Sequence, residues 1–307
     1  MIIEKGCLMN SIAHYESHMV FFSSPQLLEL EKVPLVSSGP KPTRSEVLHY
    51  YRRLADHFGL EVRQYEKVEE IQASEEGPCK VLTSKGNVYE SKFVVLAIGT
   101  YDHPSLLGIP GEDLPKVSHY YGDPHFRFRQ NVAVIGGSNS AVEAALELHR
   151  HGARVVLIHR GPTFSDAVKY WLRPDIENRI KEGSILAFFN ATVSRIENDN
   201  IVVQKAGGET VLLENDFVFA LTGYHADFEF LQKIGVVLDP ETRKPLHDPA
   251  TMETSVRRVY VAGVVAGGTE GNRLFIENTR FHAKLIFQDI ERKLMLNSSD
   301  SAEDSST

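Results

Sequence analysis

Cysteine is scarce: the 307-residue chain holds only Cys7 and Cys79, and no Cys-x-x-Cys. Two cysteines cannot build a disulfide scaffold, and without that spacing there is no ordinary internal dithiol for disulfide exchange. Long apolar runs are also lacking. The best stretches, 93–98 and 132–135, are strand-length, whereas a membrane helix needs roughly 18 residues or more, so no membrane partner is expected. Basic charge is in deficit, with 33 Lys and Arg against 41 Asp and Glu and a net charge of −8. No basic stripe is available to neutralise phosphates, which argues against a nucleic-acid partner. Low cysteine and the lack of a signal peptide point to the cytoplasm. What is present, 42% hydrophobic and 24% charged residues, is ordinary globular composition, and at about 150 residues per domain the length predicts two domains.

The chain opens with Met1-Ile2-Ile3-Glu4, read as a very short buried strand ending in an acid, followed by a polar and aromatic stretch over 10–24. Thr43 and Glu46 form a capping-box pattern, and Val47, Leu48, Tyr51, Leu54, Ala55 and Phe58 follow at helical spacing until Gly59. Short strands are expected at 61–65, 68–73, 80–83 and 93–98, the last ending at Gly99. The proline-rich stretch 104–115, continued to about 123, reads as a domain connection. A fresh βαβ unit then starts: strand 131–135, a glycine turn, helix 141–151 and strand 154–158. Further strands are expected at 185–189, 200–204, 211–213, 216–221 and 258–262, with a last helix over 275–294. The Ser- and acid-rich end, 296–307, is expected to be a disordered tail.

The turn Gly136-Gly137-Ser138-Asn139-Ser140-Ala141 carries chemistry. Gly136 permits a tight exit from the strand, Ser138 is small enough for a pyrophosphate to approach the backbone, and Ala141 lets the helix pack closely. The pattern is GxSxxA rather than GxGxxG, and a glycine-rich string alone is weak evidence. Its placement after an apolar strand and before a helix favours a nucleotide site over a purely structural turn. The second strand runs into His159-Arg160, where an NAD site would carry an acid; Arg160 suits a 2′-phosphate and so favours NADP, the alternative being a solvated surface charge. Other groups are thinner. His14 and His18 stand four apart without a third ligand, so no metal site is expected. Cys7 and Cys79 read as packed or idle thiols, and Glu4 has an alternative reading as a surface acid after an edge strand.

Several strings in order resemble the bacillithiol disulfide reductase family of thioredoxin-reductase-like flavoproteins: Asn10-Ser11-Ile12, Phe21-Phe22-Ser23, Lys41-Pro42-Thr43-Arg44, the turn at 136–141, His159-Arg160-Gly161-Pro162, Lys169-Tyr170-Trp171-Leu172 and the run 272–278. The resemblance implies an α/β fold of two nucleotide-binding Rossmann-like domains, with the NADPH domain (124–240) inserted into the FAD domain (1–123 and 241–295). It implies an FAD-dependent NADPH oxidoreductase of redox homeostasis that reduces a low-molecular-weight thiol disulfide, bacillithiol disulfide in particular. A ferredoxin or flavodoxin reductase of the same fold, taking a small redox protein as partner, and an inactive NADPH-binding protein stay open as alternatives, as do the catalytic residue and a homo-oligomeric state. By position, Glu4 would bind the FAD ribose with Lys5, Asn10, Ser11 and His18 nearby, and Gly99, Gly263, Val264, Arg273, Phe275 and Ile276 would complete that cradle. Gly136, Gly137, Ser138, Asn139 and Ser140 would hold NADPH phosphates, His159 and Arg160 the 2′-phosphate, and Glu143 and Gly223 would lie towards the nicotinamide. The amides of Ile276, Glu277 and Asn278 at the start of the last helix would stabilise charge on reduced flavin. Two departures stand out: Val264 replaces the Asp of the related Gly-Asp pair, and the family's first strand, glycine turn and helix do not precede Ile2. From the second we expect this 307-residue form to bind FAD weakly or not at all, and a form with a longer start to be a yellow oxidoreductase.

Overall fold

A computed structural model describes residues 1–74 and 77–303. Two compact units form, one from Met1–His103 together with the chain from Tyr224 onward, the other from Pro104–Gly223. The inserted arrangement and the parallel sheets are those of the expected α/β fold. The boundaries fall about twenty residues earlier than the proline-rich composition suggested. Ile109, Leu107 and Leu114 pack into the core of the second unit, and Ile196 donates its amide to Pro110, so 104–123 is built into that unit. At the other crossing, helix Phe228–Lys233 delivers Leu231 and its neighbours Ile234 and Val236 to the core of the first unit.

The second unit is a five-stranded parallel sheet in the order Leu186–Phe189, Arg154–His159, Asn131–Ile135, Phe217–Ala220, Val117–Ser118. Helix Asn139–Arg150 covers it because its apolar positions, Ala141, Val142, Ala144, Ala145, Leu146 and Leu148, recur on one face and are all buried. A three-stranded antiparallel sheet, Ala191–Ile196, Asn200–Lys205 and Thr210–Glu214, adds a second layer. From Asn131–Ile135 the order runs outward one way through Arg154–His159 and Leu186–Phe189. Phe217–Ala220 lies on the other side. This reversal is the topological switch point where open α/β sheets bind ligands at the carboxyl ends of their strands.

In the first unit, Ile2–Ile3 pairs in parallel with Val62–Arg63, and Val94–Leu96 with Val259–Val261; Val68–Gln72, Cys79–Thr83 and Val88–Ser91 form an antiparallel sheet. Helix Arg44–His57 starts as expected, with the Glu46 amide donating to Thr43 Oγ1 at 3.3 Å and the Thr43 amide to Glu46 Oε2 at 2.8 Å. Those amide bonds, from Ser38 as well as Thr43, draw the Glu46 carboxyl down to about 2. The last helical region is two pieces, Ile276–Thr279 and His282–Glu303. The longer helix continues through 297–303, against the expected tail, because extending an existing helix adds a hydrogen bond per residue without a new nucleus; residues 304–307 lie outside the described residues. It is anchored through Asp289, 4% exposed, whose carboxylate accepts from the Tyr260 hydroxyl at 2.8 Å, Lys293 at 2.7 Å and Arg292 at 2.5 Å.

Candidate functional site

In the second unit, the switch point is lined by glycine for steric reasons. Gly136 has φ 151°, and a Cβ there would sit 2.5 Å from the Leu221 carbonyl oxygen of the neighbouring strand's continuation and 2.8 Å from Ala141 Cβ. The same close approach explains why Ala141 is small. Gly223, at φ 102° beyond strand Phe217–Ala220, faces open space. A Cβ on Gly137 would collide with the His159 ring, and one on Gly161 would meet His159 Nε2 at 2.7 Å. His159 therefore fills the underside of the turn. Burial lowers its pKa from the usual value, the Arg160 charge adds to this, and a backbone contact with Thr163 opposes it, so the ring is neutral at pH 7. Its role in the structure is packing, whereas Arg160, next to it, is exposed and makes no hydrogen bond or ion pair among the described residues. Ser138 and Ser140 are exposed at the turn. Glu143, one turn into the helix, is pushed up by burial and by Glu147, with Arg150 opposing.

The Asn139 side chain is engaged within the protein. Its Nδ2 donates to the Ala167 carbonyl and its Oδ1 accepts from the Lys169 amide, both at 2.9 Å. Ser165 N donates to the Gly137 carbonyl at 2.9 Å, and the Ser165 carbonyl accepts from Arg173 Nη2 at 2.9 Å. The side chain thus ties the segment 165–169 to the turn. No sequence signal marks this clamp, since its partners are backbone atoms. The donor set fits a dinucleotide phosphate: small exposed residues, a helix N-terminus of twelve residues, and a cation without a protein partner.

In the first unit, Gly99 (φ 66°) and Gly263 (φ 81°) follow the paired strands Val94–Leu96 and Val259–Val261, and nothing lies within 4 Å of where a Cβ would stand on either. The carboxyl edge of that strand pair is thus a cradle that side chains would fill, which suits a flat ring system approaching the backbone. Glu4 stands at the end of Ile2–Ile3, with Oε1 accepting from the Gly6 amide at 2.8 Å. Lys5 pairs with Asp102 at 3.0 Å. Asn10 accepts from the Cys7 amide at 3.3 Å and lies where any Cβ on Gly6 would stand. Ser11 is half-buried; His18 is exposed and bonded to Ser17. Val264 is half-buried, Arg273 and Phe275 are exposed, and Ile276 packs against the cluster around Ile12 and Tyr50. Of the three amides expected to be exposed, at Ile276, Glu277 and Asn278, that of Asn278 is engaged. Asn278 N donates to the Phe275 carbonyl at 3.2 Å within a four-residue helix, and the Glu277 carboxylate takes a hydrogen bond from Ser23. No described helix is long and apolar enough to cross a membrane.

The family described as pyridine nucleotide-disulphide oxidoreductase matches residues 1–263. The chain is 42% identical over 293 residues to bacilliredoxin reductase Bdr of Bacillus subtilis (strain 168), covering 95% of this chain and 90% of that protein. Among solved structures it is similar to bacillithiol disulfide reductase Bdr from Bacillus cereus, with TM-score 0.92, 40% identity, and coverage of 95% and 90%. A ferredoxin–NADP reductase of Ignicoccus hospitalis is 32% identical over 224 residues, 71% of this chain and 70% of that protein.

Proposed function

The chain belongs to the pyridine nucleotide-disulphide oxidoreductase family, oxidoreductases that use FAD and NADPH, and from that premise we propose that it is a cytoplasmic flavin reductase of a low-molecular-weight thiol disulfide, bacillithiol disulfide. The observation that carries this reading is the likeness, over 95% of the chain, to the bacilliredoxin reductase Bdr at 42% identity and to the bacillithiol disulfide reductase Bdr at 40%. The glycine turns at the strand ends support it, one set in each unit. In the second unit, Gly136 and Gly137 let the pyrophosphate reach the backbone, Ser138 and Ser140 stand beside it, and Arg160 takes the 2′-phosphate that distinguishes NADPH from NADH. In the first unit, Gly99 and Gly263 give the isoalloxazine access to backbone, and the Glu4 carboxylate holds the ribose. A flavin held by these residues would supply the hydride and electron-pair chemistry. The chain itself binds, orients and shields.

The test is the visible spectrum of the purified protein incubated with FAD, followed anaerobically by NADPH and then by bacillithiol disulfide. Bound flavin that bleaches with NADPH and regains colour with the disulfide would support the proposed function and overturn the expectation of weak FAD binding. Recovery with oxidised ferredoxin and not with the disulfide would favour the second reading, a ferredoxin reductase, for which the Ignicoccus hospitalis relative speaks.

A further inference from the structure

His282 is the first residue of helix His282–Glu303 and belongs to none of the motifs discussed above. Its Nδ1 lies 3.2 Å from the amide nitrogen of Gly263. A backbone N–H can only donate, so Nδ1 must be the bare acceptor nitrogen and the ring must be the neutral Nε2–H tautomer. Gly263 is also the residue with a left-handed backbone and open space before it, directly beyond strand Val259–Val261. Ala262 is held in register by its amide bond to the Leu96 carbonyl at 2.9 Å. The chain therefore leaves the sheet under two fixed amides, the second of them held by the His282 imidazole.

The geometry points to His282 as a positioning residue for the flavin cradle: its neutral imidazole, by accepting the Gly263 amide, fixes the glycine turn against which the ring system lies. This rests on the proposed flavin site. Protonating Nδ1 would turn the acceptor into a donor facing a donor, and the turn would be released. Three features resist that protonation. Burial lowers the His282 pKa from its usual value, and His247, on the stretch bridged through His247 and Thr254, adds its charge to the same effect. The amino-terminal end of a 22-residue helix is the wrong place for a cation. The sign follows: a histidine with a depressed folded value keeps its contact above about pH 6.5 and loses it as acid is added.

Two measurements test this on the full chain. Imidazole ¹⁵N spectra of the unaltered protein are expected to show His282 with Nε2 protonated and Nδ1 bare at pH 7.5, and the Gly263 amide protected from hydrogen exchange. A protonated Nδ1 at that pH overturns the proposal without need of any variant. FAD affinity is then measured from pH 7.5 to 5.5 for the unaltered protein, His282→Asn and His282→Ala. The expected pattern is FAD binding that weakens as the pH falls from 7.5 to 5.5 in the unaltered protein, by at most about tenfold, the factor that one hydrogen bond of usual net strength carries. His282→Asn, which offers an acceptor oxygen that does not titrate, should be flat with pH, and His282→Ala weak throughout. FAD affinity that is flat with pH in the unaltered protein, or a titration unchanged in His282→Asn, overturns the positioning role alone. No FAD binding at any pH in any form overturns the proposed flavin function, and this inference with it.

Discussion

Replacing Asp289 by Asn removes one charge from a buried site. Burial by itself would push this carboxyl up, but donors from Lys293, Arg292 and Tyr260 more than reverse that, and the group sits at about 2 against an ordinary 3.8. The difference of nearly two pKa units corresponds to about 2 kcal/mol of stability at neutral pH. Because the folded value is depressed, that contribution is present above about pH 4 and is lost as the pH falls towards 2. Asn keeps an acceptor for Tyr260 but not the negative charge opposite Lys293, which retains Glu253 at 2.5 Å. Urea unfolding followed by far-UV circular dichroism should therefore show a loss of about 2 kcal/mol between pH 5 and 8, narrowing below pH 4 as the unaltered Asp289 takes up its proton. Trp171, the single tryptophan, lies in the other unit, so its fluorescence transition serves as an internal control and should not move. A loss that stays constant down to pH 3, or one below about 0.5 kcal/mol at pH 7, would refute the assignment of the stabilisation to this charge.

Other outcomes follow from the same structure. Arg160→Ala should raise the KM for NADPH by roughly tenfold to thirtyfold and leave that for NADH unchanged, the lower range for a charge-assisted contact at an exposed position; equal effects on both coenzymes would mean Arg160 is surface charge only. Asn139→Ala should free the 165–169 segment, so hydrogen exchange at the Lys169 amide should rise at least tenfold while the Gly263 amide is untouched. Thr43→Ala, which takes away the cap on the Glu46 amide, should cost about 1 kcal/mol in urea unfolding, with no change in NADPH affinity.

The βαβ element of the second unit was legible because three signals coincide there: an apolar strand, glycines where two backbones nearly touch, and an apolar helix face. Helix Arg173–Lys181 escaped notice because Pro174 and charged residues dominate it and Ile176 alone is fully buried. Helix Phe228–Lys233 has only six residues, and its cap, Asp227 accepting from the Phe230 amide at 2.9 Å, reads like any loop acid. The domain boundary was misplaced because proline was taken as a linker signal, whereas Pro110 offers its carbonyl to Ile196 in a packed corner. Around the candidate site, the positions whose backbone requires glycine, Gly136 and Gly263, were readable. Those that act by holding backbone, Asn139 and His282, were not, since nothing in a sequence says which distant amide a side chain will find.

The insertion has a consequence for biosynthesis. Ser105 donates its amide to the Gly223 carbonyl at 2.9 Å, so the two ends of the second unit meet and everything in its sheet lies between them. That unit can complete itself as soon as it leaves the ribosome. The first unit cannot: Val94–Leu96 emerges early yet has Val259–Val261 as its partner, and must wait as an open edge until the whole insert has been made. A nascent chain halted between Gly223 and Val259 would display a finished coenzyme module beside an unfinished strand edge, the surface on which a chaperone would be expected to act.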